Sequence, residues 1–373
     1  MNKNLIGNSP GADYSHLRWK LDEQSLTELA LGATLLGAGG GGDPYALVLA
    51  VREQLRQGHQ VEVIPLDSLG DEDLVASMGS MGAPGIHREK LSRGNEGVRE
   101  LRVLEQHIGQ PVSAIIASEL GAHSALEPML TAASTGLPVV DGDGLGRSFY
   151  GMDMSTFFFA GLPASPAVIC DERGNIIILA DLADAHWLER LTRQMTLEMG
   201  GVSYFITPLI TGAQAKAHAV PGTISQARRI GQAIIHARRE GGDPVAVTQK
   251  VTGGRLLARG EVVDVTHRTE SGFAAGRVQI TGRGSFAGRT FTVDFQSVNL
   301  MALEGNEHLV TTPDLICIVD GETAEPITIT RLSYGQYVAV LGIPCSPQLR
   351  TPAALAVVGP RAFGYPVDYR PFA

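Results

Sequence analysis

The stretch PVSAIIASELGAHSALEPMLTAASTGLPVVDGDG, residues 111–144, decides the fold class of the first half of the chain. Its first nine residues predict a short strand, HSALEPMLTAASTG predicts a helix closed by Gly136, and LPVVDGDG predicts another strand. Helix and strand patterns alternate in the same way across this half, which is typical of an α/β domain. We therefore expect residues 1–165 to form an α/β domain, a mixed or parallel sheet covered by helices.

The second half of the sequence shows a different order of helix and strand patterns. AVICDERGNIIILA predicts a hairpin, and ADAHWLERLTRQMTLEMG and TISQARRIGQAIIHARREGG predict two helices. From Val245 onward, strand patterns are separated by Gly, Asp and Asn turns, which is typical of a barrel or a sandwich. We expect residues 166–373 to form a C-terminal domain with two helices and then a β-rich part, and we place the boundary near residues 163–166.

Composition and charge exclude several classes of partner. The 373 residues are 44% hydrophobic and 18% charged, as in an ordinary globular protein. Thirty basic against 39 acidic residues give a net charge of −9 without a Lys/Arg stripe, so we expect no nucleic acid and no membrane as partners. Three cysteines outside any Cys-x-x-Cys pattern, and an N-terminus without an apolar signal segment, predict a cytoplasmic protein. We expect a homo-oligomer that binds a small molecule.

The glycine-rich stretch LLGAGGGGDPYALV, residues 35–48, matches the dinucleotide fingerprint at Gly37, Gly39 and Gly42, with Glu62 where the ribose-binding acid belongs. A buried strand must precede that fingerprint. The preceding SLTELALGATLLG instead has the 3.6-residue period of a helix, and Ser25 with Glu28 predicts a capping box at its start. No Walker Lys follows the glycines, so we expect no nucleotide cofactor.

The same glycines fit two other roles. Asp43 and Pro44 predict the N-cap and first residue of a second helix, so the loop is either a tight helix–helix turn or a binding loop. A turn needs one or two glycines, and this loop has more. Because its N–H groups suit an anion or a carbonyl oxygen, we favour a binding loop formed by Gly39, Gly40, Gly41, Gly42 and Asp43.

Polar residues follow three predicted strands, where open α/β sheets bind ligands. Gly82 lies in MGSMGAPG, Glu119 follows the second strand, and Asp141 and Asp143 end the third. If these strands are neighbours, the three carboxylates converge, with His123 and Arg147 one loop further out. Each carboxylate alone is more often a helix cap or an Asx turn than a catalyst. Together they would raise a pKa or require a cation, either Arg147 or a divalent metal held by Glu119, His123, Asp141 and Asp143.

Five segments together resemble the S-methyl thiohydantoin desulfurase family: GAGGGGDP, MGSMGAPG, ASELGAHSALEPMLTAASTGLPVVDGDGLGRSF, PDLICIVD and GPRAFGYPVDYRPF. The resemblance spans about residues 26–369 and implies a two-domain bacterial protein with an α/β half and a β-rich half. It also implies a hydantoinase- or oxoprolinase-type partner and hydrolytic removal of sulfur from C2 of a five-membered thiohydantoin ring. The chain departs from the family pattern at His123, where Asn is usual, and in SFYGMDM after Arg147.

The leading hypothesis is a hydrolase acting on a small ring in a cleft between the domains. Asp141, Asp143 or Glu119, with or without a divalent metal, activates water that attacks an sp² ring carbon. The substrate is held by the glycine loop with its N–H groups, and by Gly82, His123 and Arg147. The alternative is a non-catalytic partner subunit, or a small-ligand-binding protein, of a hydantoinase-like system.

Overall fold

The computed structural model describes residues 17–82, 84–270 and 273–372. Within these ranges the chain forms two sheets. The strands of the first sheet are β1 (Trp19–Lys20), β2 (Glu62–Ile64), β3 (Leu74–Gly82), β4 (Ala114–Ala117), β5 (Val139–Asp143), β6 (Ala167–Cys170), β7 (Ile176–Leu179), β8 (Val202–Thr211) and β9 (Val220–Pro221). Their order is β1-β2-β5-β4-β3-β8-β6-β7, and β9 pairs with β5.

The second sheet is antiparallel throughout and curls into a half-barrel. Its order is β14-β13-β12-β11-β10-β16-β15. The strands are β10 (Arg255–Glu270), β11 (Phe273–Gly282), β12 (Thr290–Gln296), β13 (Val298–Glu304), β14 (Glu307–Thr311), β15 (Leu315–Asp320) and β16 (Tyr337–Ile343). The predicted fold class, an α/β N-terminal part and a β-rich C-terminal part, is confirmed.

Helices cover the first sheet and connect the two sheets. They are α1 (Glu23–Leu36), α2 (Tyr45–Arg56), α3 (Pro84–Glu89), α4 (Glu96–Ile108), α5 (Ala122–Thr135), α6 (Thr156–Phe159), α7 (Ala185–Glu198), α8 (Gly212–His218), α9 (Thr223–Glu240), α10 (Pro244–Thr252) and α11 (Pro352–Val358). Across the described ranges, none of them combines the length and the apolar character that a membrane-spanning helix needs.

The first sheet continues beyond residue 165, where the sequence predicts a domain boundary. The predicted hairpin forms β6 and β7, and both belong to this sheet. Strand β8 lies between β3 and β6 and is antiparallel to both. The sequence prediction missed β8 because its residues are buried almost without interruption, so the strand lacks the polar alternation of a half-exposed one.

Helix α1 ends at Leu36, directly before Gly37, so the helix predicted before the glycine loop is confirmed. A dinucleotide site would require a strand at this position. The predicted capping box was wrong by three residues. Asp22 is the N-cap: its Oδ1 accepts from the Ser25 N–H at 2.7 Å, and Ser25 Oγ accepts from the Asp22 N–H at 2.8 Å. Glu28 instead forms an ion pair with Arg228 at 3.2 Å, because it faces helix α9.

Helices α1 and α9 approach each other closely through two glycines. A Cβ added to Gly32 would lie 1.8 Å from the Ala227 carbonyl oxygen, and one added to Gly231 would lie 1.8 Å from that of Glu28. Both distances are far below van der Waals contact, so only glycine fits at either position. The contact holds α1, which leads into the glycine loop, against α9.

Candidate functional site

A cleft lies between the first sheet and the second, and it encloses about 950 Å³ of empty space including its open mouth. Most of its wall lies on the side of the first sheet: Gly41 and Gly42 of the glycine loop (residues 37–42), the end of β3, the start of α5 and residues 148–155. The second sheet contributes Phe273, Ser297 and Val298. A molecule bound here would touch both domains, as is common for ligand sites.

Glu119 lies in the wall of the cleft, two residues after β4. Its Oε1 accepts from Ser148 Oγ at 2.7 Å and from Ser124 Oγ at 3.2 Å, and its Oε2 accepts from the Phe149 N–H at 2.8 Å. Burial raises the pKa of Glu119 to about 7, against the effect of these donors, which favour the ionised form. A carboxyl group with this pKa both accepts and donates protons near neutral pH.

Two histidines, His87 and His123, also lie in the cleft wall. The Nε2–H of His123 donates to the Asp43 carbonyl oxygen at 2.9 Å, which leaves Nδ1 as the acceptor nitrogen of the neutral ring. The ring of His87 meets that of His123 edge-on, with centroids 4.5 Å apart. Burial lowers the pKa of His123. Burial, and then repulsion from His123 when it is protonated, lowers the pKa of His87 to about 3. Both rings are therefore neutral at pH 7.

The second half of the glycine loop lines the cleft. Gly41 and Gly42 have φ values of 78° and 79°, which L side chains rarely adopt. A Cβ on Gly41 would lie 2.8 Å from Gly121 Cα, and one on Gly42 would lie 2.6 Å from His123 Cδ2. Among the described residues, no hydrogen-bond acceptor contacts the N–H of Gly41 or of Gly42.

The first half of the loop, by contrast, contacts the second sheet. Gly39 accepts from the Ile329 N–H at 2.9 Å, and Ala38 accepts from the Asn299 N–H at 2.8 Å. A Cβ on Gly39 would meet the Asn299 side chain, and one on Gly40 would meet Val298. Gly39 and Gly40 are not in the cleft wall. The loop therefore serves both as an interdomain contact and as part of the cleft.

Asp141 and Asp143 lie on β5, next to β4 as predicted, and both bind backbone N–H groups. Asp141 Oδ1 accepts from the Ser225 N–H at 3.0 Å, at the start of α9. Asp143 Oδ1 accepts from the N–H groups of Leu145 and Gly146, each at 2.5 Å. Burial raises the pKa of Asp143 to about 6. Neither side chain is part of the cleft wall, so Glu119 is the carboxylate of the predicted group that lies there.

Arg147 is fully buried between the domains, outside the cleft wall. Its Nη1 donates to the carbonyl oxygens of Pro313 at 2.7 Å and of Asp314 at 3.0 Å, and its guanidinium lies 4.1 Å above the Phe149 ring. Burial lowers the pKa of Arg147 to about 10. The side chain thus links the turn between β14 and β15 to residues 148–149, which carry two of the three Glu119 donors, and it does not line the cleft.

The four residues suggested as metal ligands do not form a metal-binding group. Within residues 17–82, 84–270 and 273–372, no set of three or more His, Cys, Asp or Glu side chains could hold a metal ion. Gly82, at the end of β3, is also in the cleft wall. Sequence reasoning missed His87 and the cleft residues after Arg147, although SFYGMDM was noted as unusual for the resemblance.

Comparison with known proteins agrees with this architecture. Residues 24–181 match the family model described as S-Me-THD-like, N-terminal domain, and residues 183–372 match S-Me-THD-like, C-terminal domain. A crystal structure of a protein from Chromobacterium violaceum is similar in fold, with a TM-score of 0.78 and 24% identity over 95% of this chain and 100% of that one. No curated protein matches. Because the two family models together cover nearly all of the sequence, the chain belongs to the S-Me-THD-like family.

Proposed function

We propose that the chain catalyses hydrolysis of the bond between C2 and the sulfur of a thiohydantoin-type five-membered ring, and leaves the ring closed. Membership of the S-Me-THD-like family supports a thiohydantoin-related enzyme. The observation that carries the hydrolytic step is Glu119, a cleft carboxyl group whose pKa burial raises to about 7. A general base is most effective when its pKa lies near the working pH.

Glu119 activates the water molecule. Its ionised carboxylate takes a proton from water as the water oxygen bonds to C2, and the C2–N π electrons move onto the ring nitrogen. The nitrogen lone pair then reforms the bond to C2 while the C2–S bond breaks. The sulfur leaves as a thiolate and takes a proton from Glu119, and loss of the hydroxyl proton to the ring nitrogen gives the C2 carbonyl. The products are a hydantoin and one thiol.

Other residues of the cleft hold the ring and the charge that develops on it. The N–H groups of Gly41 and Gly42 are fixed donors for a ring oxygen or for the developing anion. The Nδ1 of neutral His123 suits a ring N–H, because its Nε2–H already donates to Asp43. Ser124 and Ser148 keep the Glu119 carboxylate oriented while its protonation changes.

The test is turnover by the purified chain on S-methyl thiohydantoins and on hydantoins, with and without a chelator. We expect release of one thiol per ring, detected with a chromogenic thiol reagent. In ¹⁸O-labelled water, mass spectrometry should find one labelled oxygen in the hydantoin. If the folded protein binds hydantoins by calorimetry but releases no thiol from any ring, the chain is a non-catalytic binding protein and the proposal is wrong.

A further inference from the structure

We propose that Glu189, on α7, is a positioning residue for Glu119: it holds the chain segment whose donors orient the Glu119 carboxylate. This inference rests on the proposed function, because it concerns the base of that reaction. The segment comprises residues 148–152 and is called the donor segment here. It lies between β5 and α6, outside any helix or strand. Side-chain contacts therefore decide where its atoms lie.

The donor segment contacts a carboxylate at each end. At its start, Ser148 Oγ and the Phe149 N–H donate to Glu119 at 2.7 and 2.8 Å. At its end, the Met152 N–H donates to Glu189 Oε2 at 2.8 Å. Phe149 and Met152 are three residues apart, which is at most about 11 Å of extended chain. A change in the position of Met152 therefore reaches the donors of Glu119.

A second contact from α7 reinforces the first. Arg193 Nη2 donates to the Tyr150 carbonyl oxygen at 2.6 Å. The Nε and Nη2 of Arg193 contact Glu189 Oε1 at 2.8 and 2.7 Å. Arg193 also lines the cleft, where a ligand can contact it, whereas Glu189 is outside the cleft wall. Glu189 is therefore the residue whose substitution tests positioning alone.

Helix α7 gives Glu189 a fixed position. Thr196 Oγ1, on this helix, lies 2.6 Å from Ser203 Oγ on β8. Thr192 Oγ1, also on α7, donates to Met152 Sδ at 3.1 Å. The Glu189 side chain is only 16% exposed. The donor segment is thus held by a helix that is itself anchored to the first sheet.

The charge of Glu189 acts on Glu119 in the direction opposite to its positioning role. As an anion, Glu189 repels the ionised form of Glu119, as Asp143 does, so loss of its charge lowers the pKa of Glu119. Loss of well-placed donors raises that pKa, because the hydrogen bonds from the donor segment favour the ionised form. Arg147, the cation attracted to Glu119, is unaffected by either change. Two variants with the same charge therefore separate the two effects.

Other titratable groups lie beside Glu189. Burial, and then repulsion from Glu189, raises the pKa of Asp153 to about 6, and His186 Nδ1 lies 4.0 Å from Asp153 Oδ2. Burial raises the pKa of Tyr150 to about 12, so its hydroxyl does not titrate near neutral pH. Removal of Glu189 lowers the pKa of Asp153 as well. A measurement that observes glutamate carboxyl groups alone excludes this contribution.

The experiment compares Glu189→Ala with Glu189→Gln, which remove the same charge. Only the Gln variant keeps an oxygen acceptor for the Met152 N–H. The pKa of Glu119 is read from the carboxyl carbon signals of protein labelled with ¹³C-glutamate, and Glu119→Gln identifies its signal. We expect this pKa to be about 0.5 to 1 pH unit higher in Glu189→Ala than in Glu189→Gln. The midpoint of the kcat/KM profile for thiol release should move by the same amount.

Glu198→Ala is the control, because Glu198 is on the same helix but is exposed to solvent, and it should leave the pKa of Glu119 unchanged. If thermal melting shows that Glu189→Ala is unfolded, Glu189→Met replaces it, since Met keeps the side-chain length without an oxygen acceptor. Equal pKa values of Glu119 in the Gln variant and in the Ala or Met variant would overturn the positioning role and leave the proposed function intact. If no ring releases thiol, the proposed function fails, and the carboxyl carbon titration still tests the positioning role.

Discussion

Two neighbouring strands, β4 and β5, lead to carboxylates that have different partners. Glu119, after β4, is held by two hydroxyl groups and one backbone N–H in the wall of the cleft. Asp141 and Asp143, on β5, accept from backbone N–H groups outside that wall. Hydroxyl groups rotate as a carboxyl group changes protonation, whereas backbone donors are fixed. The first arrangement suits proton transfer, and the second suits holding the chain.

A raised pKa does not distinguish these carboxylates. Burial raises the pKa of Glu119 to about 7 and that of Asp143 to about 6. Perturbed pKa values mark functional sites only in a statistical sense, since structural groups are also buried. Glu119 differs from Asp141 and Asp143 because it lines the cleft. Variants of residues that share burial or backbone geometry, but differ in contact with the cleft, therefore distinguish the two roles.

The largest effect is expected for Glu119→Gln. The amide oxygen can still accept hydrogen bonds, but the side chain cannot take a proton from water, so kcat should fall by about 10²- to 10⁴-fold. Steady-state thiol release measures the loss, and thermal melting should show a folded protein. Asp141→Asn is the comparison variant, and its main effect should be on stability. If Asp141→Asn abolished turnover and Glu119→Gln did not, the assignment of roles would be reversed.

The next effect is a pH-dependent change in stability at Asp143. Because the pKa of Asp143 is raised from 3.8 to about 6, the folded state binds more protons than the unfolded state between these values. Ionisation of Asp143 therefore removes about 3 kcal/mol of stability as pH rises from about 4 to above 6. Asp143→Asn removes this dependence and keeps an oxygen acceptor for Leu145 and Gly146.

Urea denaturation of wild type and Asp143→Asn at pH 3.5 and pH 7.5 measures this difference. Relative to wild type, the variant should gain stability at the higher pH. Asp184→Asn is the control, because the Asp184 side chain also accepts from a backbone N–H, as the N-cap of α7, but is exposed to solvent. A difference between wild type and Asp143→Asn that does not change with pH would show that the buried carboxyl group is not neutralised in this range.

The sequence correctly predicted features that depend on a local pattern of residues. The period of α1 excluded a strand before Gly37, and the strand ends pointed to Glu119. It failed where a partner comes from a distant part of the chain. In isolation, Arg147 suggests a clamp for a substrate anion, but its acceptors include the carbonyl oxygens of Pro313 and Asp314, in the turn between β14 and β15. His87 carries no local motif, and only the position of α3 brings it to His123.

A smaller effect is expected for Gly42→Ala. The φ of 79° disfavours a side chain, and the new Cβ would lie 2.6 Å from the His123 ring. Gly109→Ala is a matched control: its φ is 75°, and an added Cβ would meet nothing within 4 Å. Both variants should lose about 1 kcal/mol from backbone strain. Gly42→Ala should lose more, and only it should reduce kcat/KM, because it moves His123.

Denaturation curves and thiol release are measured for both glycine variants under the same conditions. Equal stability losses would mean that the His123 ring moves aside without cost. A loss of activity in Gly109→Ala would indicate that backbone strain distant from the cleft, and not the contact with His123, accounts for the effect at Gly42.

The smallest effect is a shift in the pH profile on removing one donor to Glu119. As a base, Glu119 must be ionised, so kcat/KM for a substrate that does not titrate should rise with pH through about 7. Ser148 Oγ is the closer of the two hydroxyl donors, at 2.7 Å, and its hydrogen bond stabilises the ionised form. Ser148→Ala should therefore raise the pKa of Glu119 and move the midpoint of the profile to higher pH. Ser124→Ala, which removes the 3.2 Å donor, should move it less. A midpoint that is the same in wild type and in both variants would mean that a group other than Glu119 controls the profile.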